Sequence, residues 1–279
     1  MNSTAKLKTN VEYTVFQGRA GDHNDLAMPG AKSIGEFLAR RTGVEPYIIG
    51  TPEPALNTGW KEELAVATPS LKEVQARFEQ VISSGAMSIA ATSRCAVSIA
   101  TLPIVAKYHP SVCIVWFDSH ADLNTPETTT TGYLGGLAFS ASLGMWDSGF
   151  GSGLNLNQII LVGQRDIDPF EQDLIDERGI IHIKPEDNLE ESLRTAIAGR
   201  PVYVHLDCDV LDPGIVPTDY VHENGLSLED LHTCCRVMAE QKVVGVEIAE
   251  FQNAWTDDGE AVSPEPLLDA LQPILNANK

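Results

Sequence analysis

The chain has 279 residues, 43% of them hydrophobic and 6% aromatic, with 19 Lys and Arg set against 39 Asp and Glu for a formal charge of −20. That composition is rich enough in apolar residues to exclude a disordered chain. The charge argues against nucleic acid and anionic membrane surfaces as partners and suits a small cationic substrate or metal ions. No run approaches the 18 apolar residues of a membrane span. The first ten residues are polar and carry no apolar core of a signal peptide. The five cysteines (Cys95, Cys113, Cys208, Cys234, Cys235) are odd in number and lack disulfide-framework spacing, which points to a reducing compartment and hence the cytoplasm.

In chain order, short apolar runs alternate with segments of helical period. The run 11–16 predicts a strand. Ile34, Phe37 and Leu38 then mark a helix stopped by Gly43. A strand at 47–49 is followed by a helix carrying Leu71, Val74, Phe78, Val81 and Ile82 on one face. Strands follow at 87–91 and 113–117. Next comes a Gly- and Thr-rich irregular region from 125 to 153, the longest in the chain. Strands are then predicted at 159–162, 180–183 and 202–206. Ser227, with Asp230 three residues on, opens a helix before the last strand at 243–248. Most of these strands are apolar throughout rather than alternating, as a parallel sheet covered on both faces requires. The expectation is an α/β fold, a three-layer sandwich with a central, mostly parallel sheet of about eight strands, in a single domain over 1–279.

Two segments carry chemistry. An apolar strand runs directly into Asp118-Ser119-His120-Ala121-Asp122, placing three ligand-capable side chains at a strand's C-terminal end. Alternation would turn them to one side if the chain stayed extended. A second apolar strand ends in His205-Leu206-Asp207-Cys208-Asp209, then Asp212-Pro213. Either could be a polar turn. Together, so many carboxylates at the ends of buried strands are costly unless cations neutralise them. Mixed carboxylate and imidazole donors suit Mn²⁺, Fe²⁺, Co²⁺ or Zn²⁺.

These two motifs, with Asn124-Thr125-Pro126 after the first, resemble the signatures of the ureohydrolases, the family of arginase, agmatinase and formiminoglutamase. The likeness extends through Gly163-Gln164-Arg165-Asp166-Ile167-Asp168-Pro169 and Gly245-Val246-Glu247-Ile248-Ala249-Glu250, so it spans roughly residues 85 to 255. The resemblance implies two divalent ions, manganese first, with Zn, Co or Fe open. Asp118, Asp122 and Asp207 would hold the deeper ion, and Asp118, His120, Asp207 and Asp209 the second, with Asp118 and Asp207 bridging. It further implies that Glu250 pairs with a guanidinium, that Asn124 and Thr131 hold an α-carboxylate, and that Asp168 and Glu171 lie near an α-amino group. Asp122 and Glu250 become the expected catalytic residues, Asp122 accepting a proton. A homo-oligomer, trimer or hexamer, is the family default.

The pattern breaks in two places. Where most ureohydrolases carry Gly-Gly-Asp-His-Ser, this chain has Thr92-Ser93-Arg94-Cys95-Ala96. Cys95 thus stands at a ligand histidine position, and the expectation is a deeper site that prefers Zn²⁺ or Co²⁺ or binds Mn²⁺ weakly. Arg94 replaces an Asp, and a cation there would weaken metal binding unless it points away. Gly135 stands where arginases place a proton-shuttling His, and Tyr133 replaces a smaller residue. With Val97-Ser98-Ile99-Ala100-Thr101, Thr131-Gly132-Tyr133-Leu134-Gly135-Gly136 and Trp146-Asp147-Ser148-Gly149, these departures resemble the branch that hydrolyses Nω-hydroxy-L-arginine. The expected reaction is hydrolysis of Nω-hydroxy-L-arginine or L-arginine to hydroxyurea or urea plus an amine. Agmatine or another amidine is the alternative substrate class, and a non-catalytic protein of the same fold the alternative role. The first 85 residues show no chemistry.

Overall fold

The computed structural model describes residues 11–277; the polar N-terminal stretch 1–10 lies outside the described residues. Eight strands form one sheet: β1 (Val11–Phe16), β2 (Tyr47–Ile49), β3 (Met87–Thr92), β4 (Cys113–Phe117), β5 (Ile159–Val162), β6 (Ile181–Ile183), β7 (Val202–Asp207) and β8 (Val243–Ala249). Their order is β2-β1-β3-β8-β7-β4-β5-β6, and every pairing is parallel. The sheet is therefore wholly parallel where a mostly parallel one was expected. Strand ends differ from the predicted ones by one residue at β3, β6, β7 and β8. Three of these strands run one residue further because the closing residue still pairs in the ladder, Thr92 with Phe16 and Asp207 with Ala249.

The strands are apolar along their length because helices cover both faces. One face packs Val15, Ile89, Val115, Phe117, Val204, Leu206 and Ile248 against α1 (Ala27–Thr42), α6 (Leu189–Ile197) and α7 (Leu228–Ala239). The other packs Ala90, Ile114, Trp116, Leu161 and Tyr203 against α2 (Trp60–Ser83), α3 (Ser98–Tyr108) and α4 (Ala138–Ser142). The predicted stripe of α2 is buried as expected, though the helix starts eleven residues earlier and absorbs Pro69. Helix α1 ends at Gly43, whose φ of 71° is left-handed and whose N–H caps the carbonyl of Ala39. Ser227 and Asp230 form the predicted capping box of α7. The region 125–153 is less irregular than its composition implied, since α4 and a 3₁₀ turn at Gly135–Leu137 lie within it. Helix α5 (Pro169–Arg178) follows β5, and two short helices, α8 (Glu265–Ala270) and α9 (Gln272–Leu275), close the chain.

The strand order decides where function sits. β3, β8, β7 and β4 are consecutive neighbours at the centre of the sheet. In a parallel sheet their C-terminal ends open on one edge, where ligands of such folds bind. Register keeps those ends level: Phe117 pairs with Leu206, and Leu206 with Ile248. One glycine helps to seat this edge. A Cβ on Gly30 of α1 would lie 1.8 Å from the carbonyl oxygen of Phe251, so only glycine lets α1 press against the segment just beyond β8.

Candidate active site and metal centre

Four strand ends deliver four groups of side chains. Cys95 follows β3, Asp118 to Asp122 follow β4, Asp207 ends β7 with Asp209 just after it, and Glu250 follows β8. They line one cavity of about 130 Å³ together with Asn124, Thr129, Thr131, Tyr133, Gly135, Asp168, Glu171, Asp219 and Tyr220. Every predicted site residue except Asp118 thus borders that cavity. Asp118 is fully buried directly beneath it, accepting from the indole N–H of Trp116 at 3.1 Å.

Backbone geometry aims the acids. The chain does not stay extended after β4. It bends at Asp118, whose Oδ1 accepts the His120 N–H at 2.7 Å, and Asp122 adopts a left-handed φ of 54°. That conformation is uncommon for a non-glycine residue and recurs at functional sites. Glu250 has a φ of 63°. It is buried directly after β8, and is neither a helix-start nor a surface acid. On β7, Asp207 Oδ1 accepts the Asp209 N–H at 2.8 Å, and Asp209 Oδ1 accepts the Ser119 N–H at 2.9 Å, stitching the two motifs together.

Among the described residues, several groups of donor atoms are close enough to hold a metal ion. Asp118, His120 and Asp209 form one; Cys95, Asp207 and Glu250 a second; Cys95, Asp118 and His205 a third. A fourth, His120 with Asp166 and His222, lies toward solvent. Asp122 belongs to none of these groups, though it is buried and borders the same cavity.

The electrostatics are those of crowded acids. Burial and the neighbouring Asp209 push Asp118 up to about 7. Burial, then Asp209 and Asp118, raise Asp207 well above the carboxylate range, and burial with Asp118 does the same to Asp122. Asp209 goes the other way, down to about 2: burial opposes its charge, but His120 at 3.1 Å overrides it. Burial and then Asp207 push the Cys95 thiol up, and that thiol donates to Asp207 Oδ2 at 3.0 Å. Divalent cations fit this donor set, because like-charged carboxylates in a buried pocket are ionised together only beside positive charge.

The sequence departures resolve into contacts. Arg94 is fully buried, and its guanidinium is bonded by Asp22, Glu250 and Asp219 rather than by Asp118 or Asp207. Its Nε donates to Asp22 Oδ1 at 2.8 Å, and its Nη1 to Glu250 Oε2 at 2.8 Å and Asp219 Oδ2 at 3.0 Å. Glu250 Oε1 accepts the Cys95 N–H at 2.8 Å. Tyr133 and Gly135 are sterically linked. A Cβ at 135 would meet the Tyr133 ring at 2.4 Å, so the ring fills the place where a side chain at 135 would begin. The Tyr133 hydroxyl reaches Glu250 Oε1 at 3.4 Å.

At the rim, Asn124 Nδ2 donates to Asp168 Oδ2 at 2.8 Å, and Thr131 is exposed beside Tyr133. Glu171 is buried, with Oε1 taking the Leu123 N–H at 2.8 Å and Oε2 the Asp168 N–H at 3.0 Å. It is the capping-box acid of α5 and holds the loop that carries Asp122 and Asn124. Sequence reasoning missed several participants. Asp22 and Asn24 reach the site from the N-terminal region that had shown no chemistry. Arg165 donates to the carbonyls of Gly163, Asp209 and His222 at 2.8 to 3.0 Å, tying the β5 and β7 loops together. His205 had been seen only as part of a motif; its ring is buried and its Nε2 lies 3.1 Å from Cys95 Sγ.

Comparison with known proteins places this site in context. The chain is 34% identical over 267 residues to a protein of Streptomyces lavendulae named N(omega)-hydroxy-L-arginine amidinohydrolase, covering 96% of this chain and 98% of that one. It is 27% identical over 191 residues to an arginase of Bacillus caldovelox, covering 62% of this chain and 63% of that one. The crystal structure of arginase from Bacillus subtilis superposes with a TM-score of 0.82 at 18% identity, over 96% of this chain and 99% of the other. A proclavaminate amidino hydrolase from Streptomyces clavuligerus does so with 0.75 at 17% identity, over 97% and 92%. The model of the arginase family matches residues 6–262, and the chain is a ureohydrolase belonging to the arginase family.

Proposed function

We propose that this hydrolase cleaves the C–N bond of a guanidino acid, Nω-hydroxy-L-arginine before L-arginine, releasing hydroxyurea or urea and leaving an amine. The observation that carries the reading is the set of buried acids Asp118, Asp122, Asp207 and Asp209 gathered at two adjacent strand ends, those of β4 and β7, around one cavity. Asp118 and Asp207 would help to hold both of two divalent ions, with His120 and Asp209 serving the outer one and Cys95 the inner one. When bound, such ions supply Lewis acidity and bring the pKa of a shared water toward neutrality. Asp122, held by its left-handed backbone at the cavity wall, accepts the proton released as water adds to the guanidine carbon. Glu250 binds the guanidine. Asn124 and Thr131 receive the α-carboxylate, and Asp168 the α-amino group, with Glu171 fixing that rim. Gly135 does no proton work, so the departing amine takes its proton from water.

Two features support the hydroxylated substrate. The name of the Streptomyces lavendulae relative is one. The other is Glu250, whose Oε2 is shared with Arg94. A carboxylate already paired with Arg94 gains less from a full guanidinium than a free one would, so it discriminates less against the less basic hydroxyguanidine, whose added oxygen offers a hydrogen-bonding group for Tyr133. Manganese is the proposed native metal, and a cytoplasmic homo-oligomer, trimer or hexamer, of single-domain chains the proposed form. No helix among the described residues is long and apolar enough to cross a membrane.

The test is a substrate panel on Mn²⁺-loaded protein: Nω-hydroxy-L-arginine, L-arginine and agmatine, with urea and hydroxyurea measured. Turnover of the hydroxylated amino acid first is the expected result. Preference for agmatine, which has no carboxylate for Asn124 and Thr131, would overturn the substrate assignment.

A further inference from the structure

We infer that His205 is a ligand of the inner metal site, supplying from β7 the imidazole that Cys95 does not supply from β3. The inference rests on the two-metal reading above and assigns a role to a residue which that reading leaves unused.

Three observations meet at this ring. First, its Nε2 faces donors: Cys95 Sγ is 3.1 Å away, and the ligand atoms of Cys95, Asp118 and His205 all lie within 4.8 Å of one another. All three residues are buried, His205 and Asp118 completely. Second, the opposite nitrogen is tied down. Nδ1 lies 3.3 Å from Glu247 Oε2 and 3.1 Å from Ser98 Oγ. Glu247 is itself held by Ser98 Oγ at 2.9 Å and Thr101 Oγ1 at 3.2 Å. A carboxylate acceptor at Nδ1 assigns the proton there and turns the Nε2 lone pair toward Cys95 and Asp118. Metal-ligating histidines recur with this arrangement, one nitrogen bonded to a carboxylate and the other to the ion. Third, the ring plane is fixed. It stacks on Trp116 with centroids 3.6 Å apart at 8°, and the same indole donates to Asp118 Oδ2 at 3.1 Å. One tryptophan thus orients two candidate ligands, and among the described residues the Cys95 thiol is the one hydrogen-bond partner of the buried Nε2.

The donor set is then sulfur, nitrogen and carboxylate oxygen, which suits Zn²⁺ or Co²⁺ at the inner site more than the oxygen-rich outer group does. The competing account is that His205 only receives a hydrogen bond from the Cys95 thiol.

The full-length protein loaded with Zn²⁺ separates the two. X-ray absorption fine structure counts imidazole rings bound per zinc, and elemental analysis counts zinc per chain. Two zinc ions with two imidazoles between them, from His120 and His205, is the expected result. His205→Asn should remove one imidazole and weaken one of the two ions by at least about a hundredfold, more than loss of an outer-shell partner costs. The double variant Cys95→His with His205→Ser should restore the count. Two zinc ions with one imidazole in the unaltered protein would overturn the assignment while leaving the two-metal reading intact. Zinc uptake below one ion per chain would overturn both. The unaltered protein carries the decisive count, so failure of a variant to fold leaves the test standing.

Discussion

Replacing Arg94 by glutamine should destabilise the protein by about 3 kcal/mol, at the lower end of the cost of breaking a buried ion pair. The side chains of Arg94 and Asp22 are both 0% exposed, and Arg94 bonds three carboxylates at 2.8 to 3.0 Å. Burial alone would pull its proton off, but Glu250, Tyr133, Asp22 and Asp219 outweigh that, so the guanidinium stays charged. A glutamine replaces one of the donated bonds, which puts the loss at the lower end, and leaves Asp22 without a counter-charge. At about 2–4 °C per kcal/mol for chains near this size, the midpoint of thermal unfolding should fall by roughly 6–12 °C. The double variant Arg94→Gln with Asp22→Asn removes the orphaned charge as well and should recover about half of the loss, within the usual coupling of contacting residues. Urea unfolding followed by circular dichroism reads both. A single variant within about 0.5 kcal/mol of the original, the range of ordinary surface changes, would refute the view that this cluster supports the site. So would a double variant no better than the single one.

Asp207→Ala should abolish turnover and lower metal uptake together, read by elemental analysis beside the assay; an active variant would sink the bridging role. Cys95→His should raise Mn²⁺ affinity at the inner site, measured by competition titration, because imidazole suits Mn²⁺ better than thiolate does; unchanged affinity would reduce Cys95 to core packing. Gly135→His should be poorly folded or inert alone, since its Cβ meets the Tyr133 ring. Combined with Tyr133→Ala it should fold, and a well-folded single variant would contradict the steric link. Protein stripped by chelator should lose stability as pH rises from about 4 to 7. Asp118 is raised to about 7 against an unfolded value near 3.9, so the folded state holds the extra proton and ionisation costs stability. His120, raised chiefly by Asp209 against the opposing effect of burial, acts with the same sign above about 6.5. Added Mn²⁺ should flatten the slope; a melting temperature that rises over that range would refute it.

Much of the fold was legible because the strands are apolar throughout, and that pattern belongs to parallel sheets. The site was legible where ligands cluster within a few residues of a strand end, as in Asp118 to Asp122 and Asp207 to Asp209. What escaped was contact between distant segments. Asp22 reads as a loop acid until the fold sets it against Arg94, 72 residues away. Local spacing carries no trace of such a pair. Tyr133 and Gly135 looked like independent changes because only three dimensions show one ring covering the other's Cα. His205 was overlooked because its role depends on the other face of a buried ring, tied to Glu247 on the neighbouring strand. The condition for alternation from Asp118 to Asp122, that the chain stay extended, is not met. The turn at Asp118 and the left-handed Asp122 aim those side chains by backbone strain that alternation does not predict.

The proposed mechanism needs two divalent ions on Asp118 and Asp207, and metal content of the protein as purified, by elemental analysis, paired with hydroxyurea release from Nω-hydroxy-L-arginine, tests this most directly. Close to two ions per chain, falling with activity in proportion as chelator removes them, is the predicted result. Full turnover after complete removal of metal, or no metal and no turnover even with Mn²⁺, Co²⁺ or Zn²⁺ supplied, would contradict it.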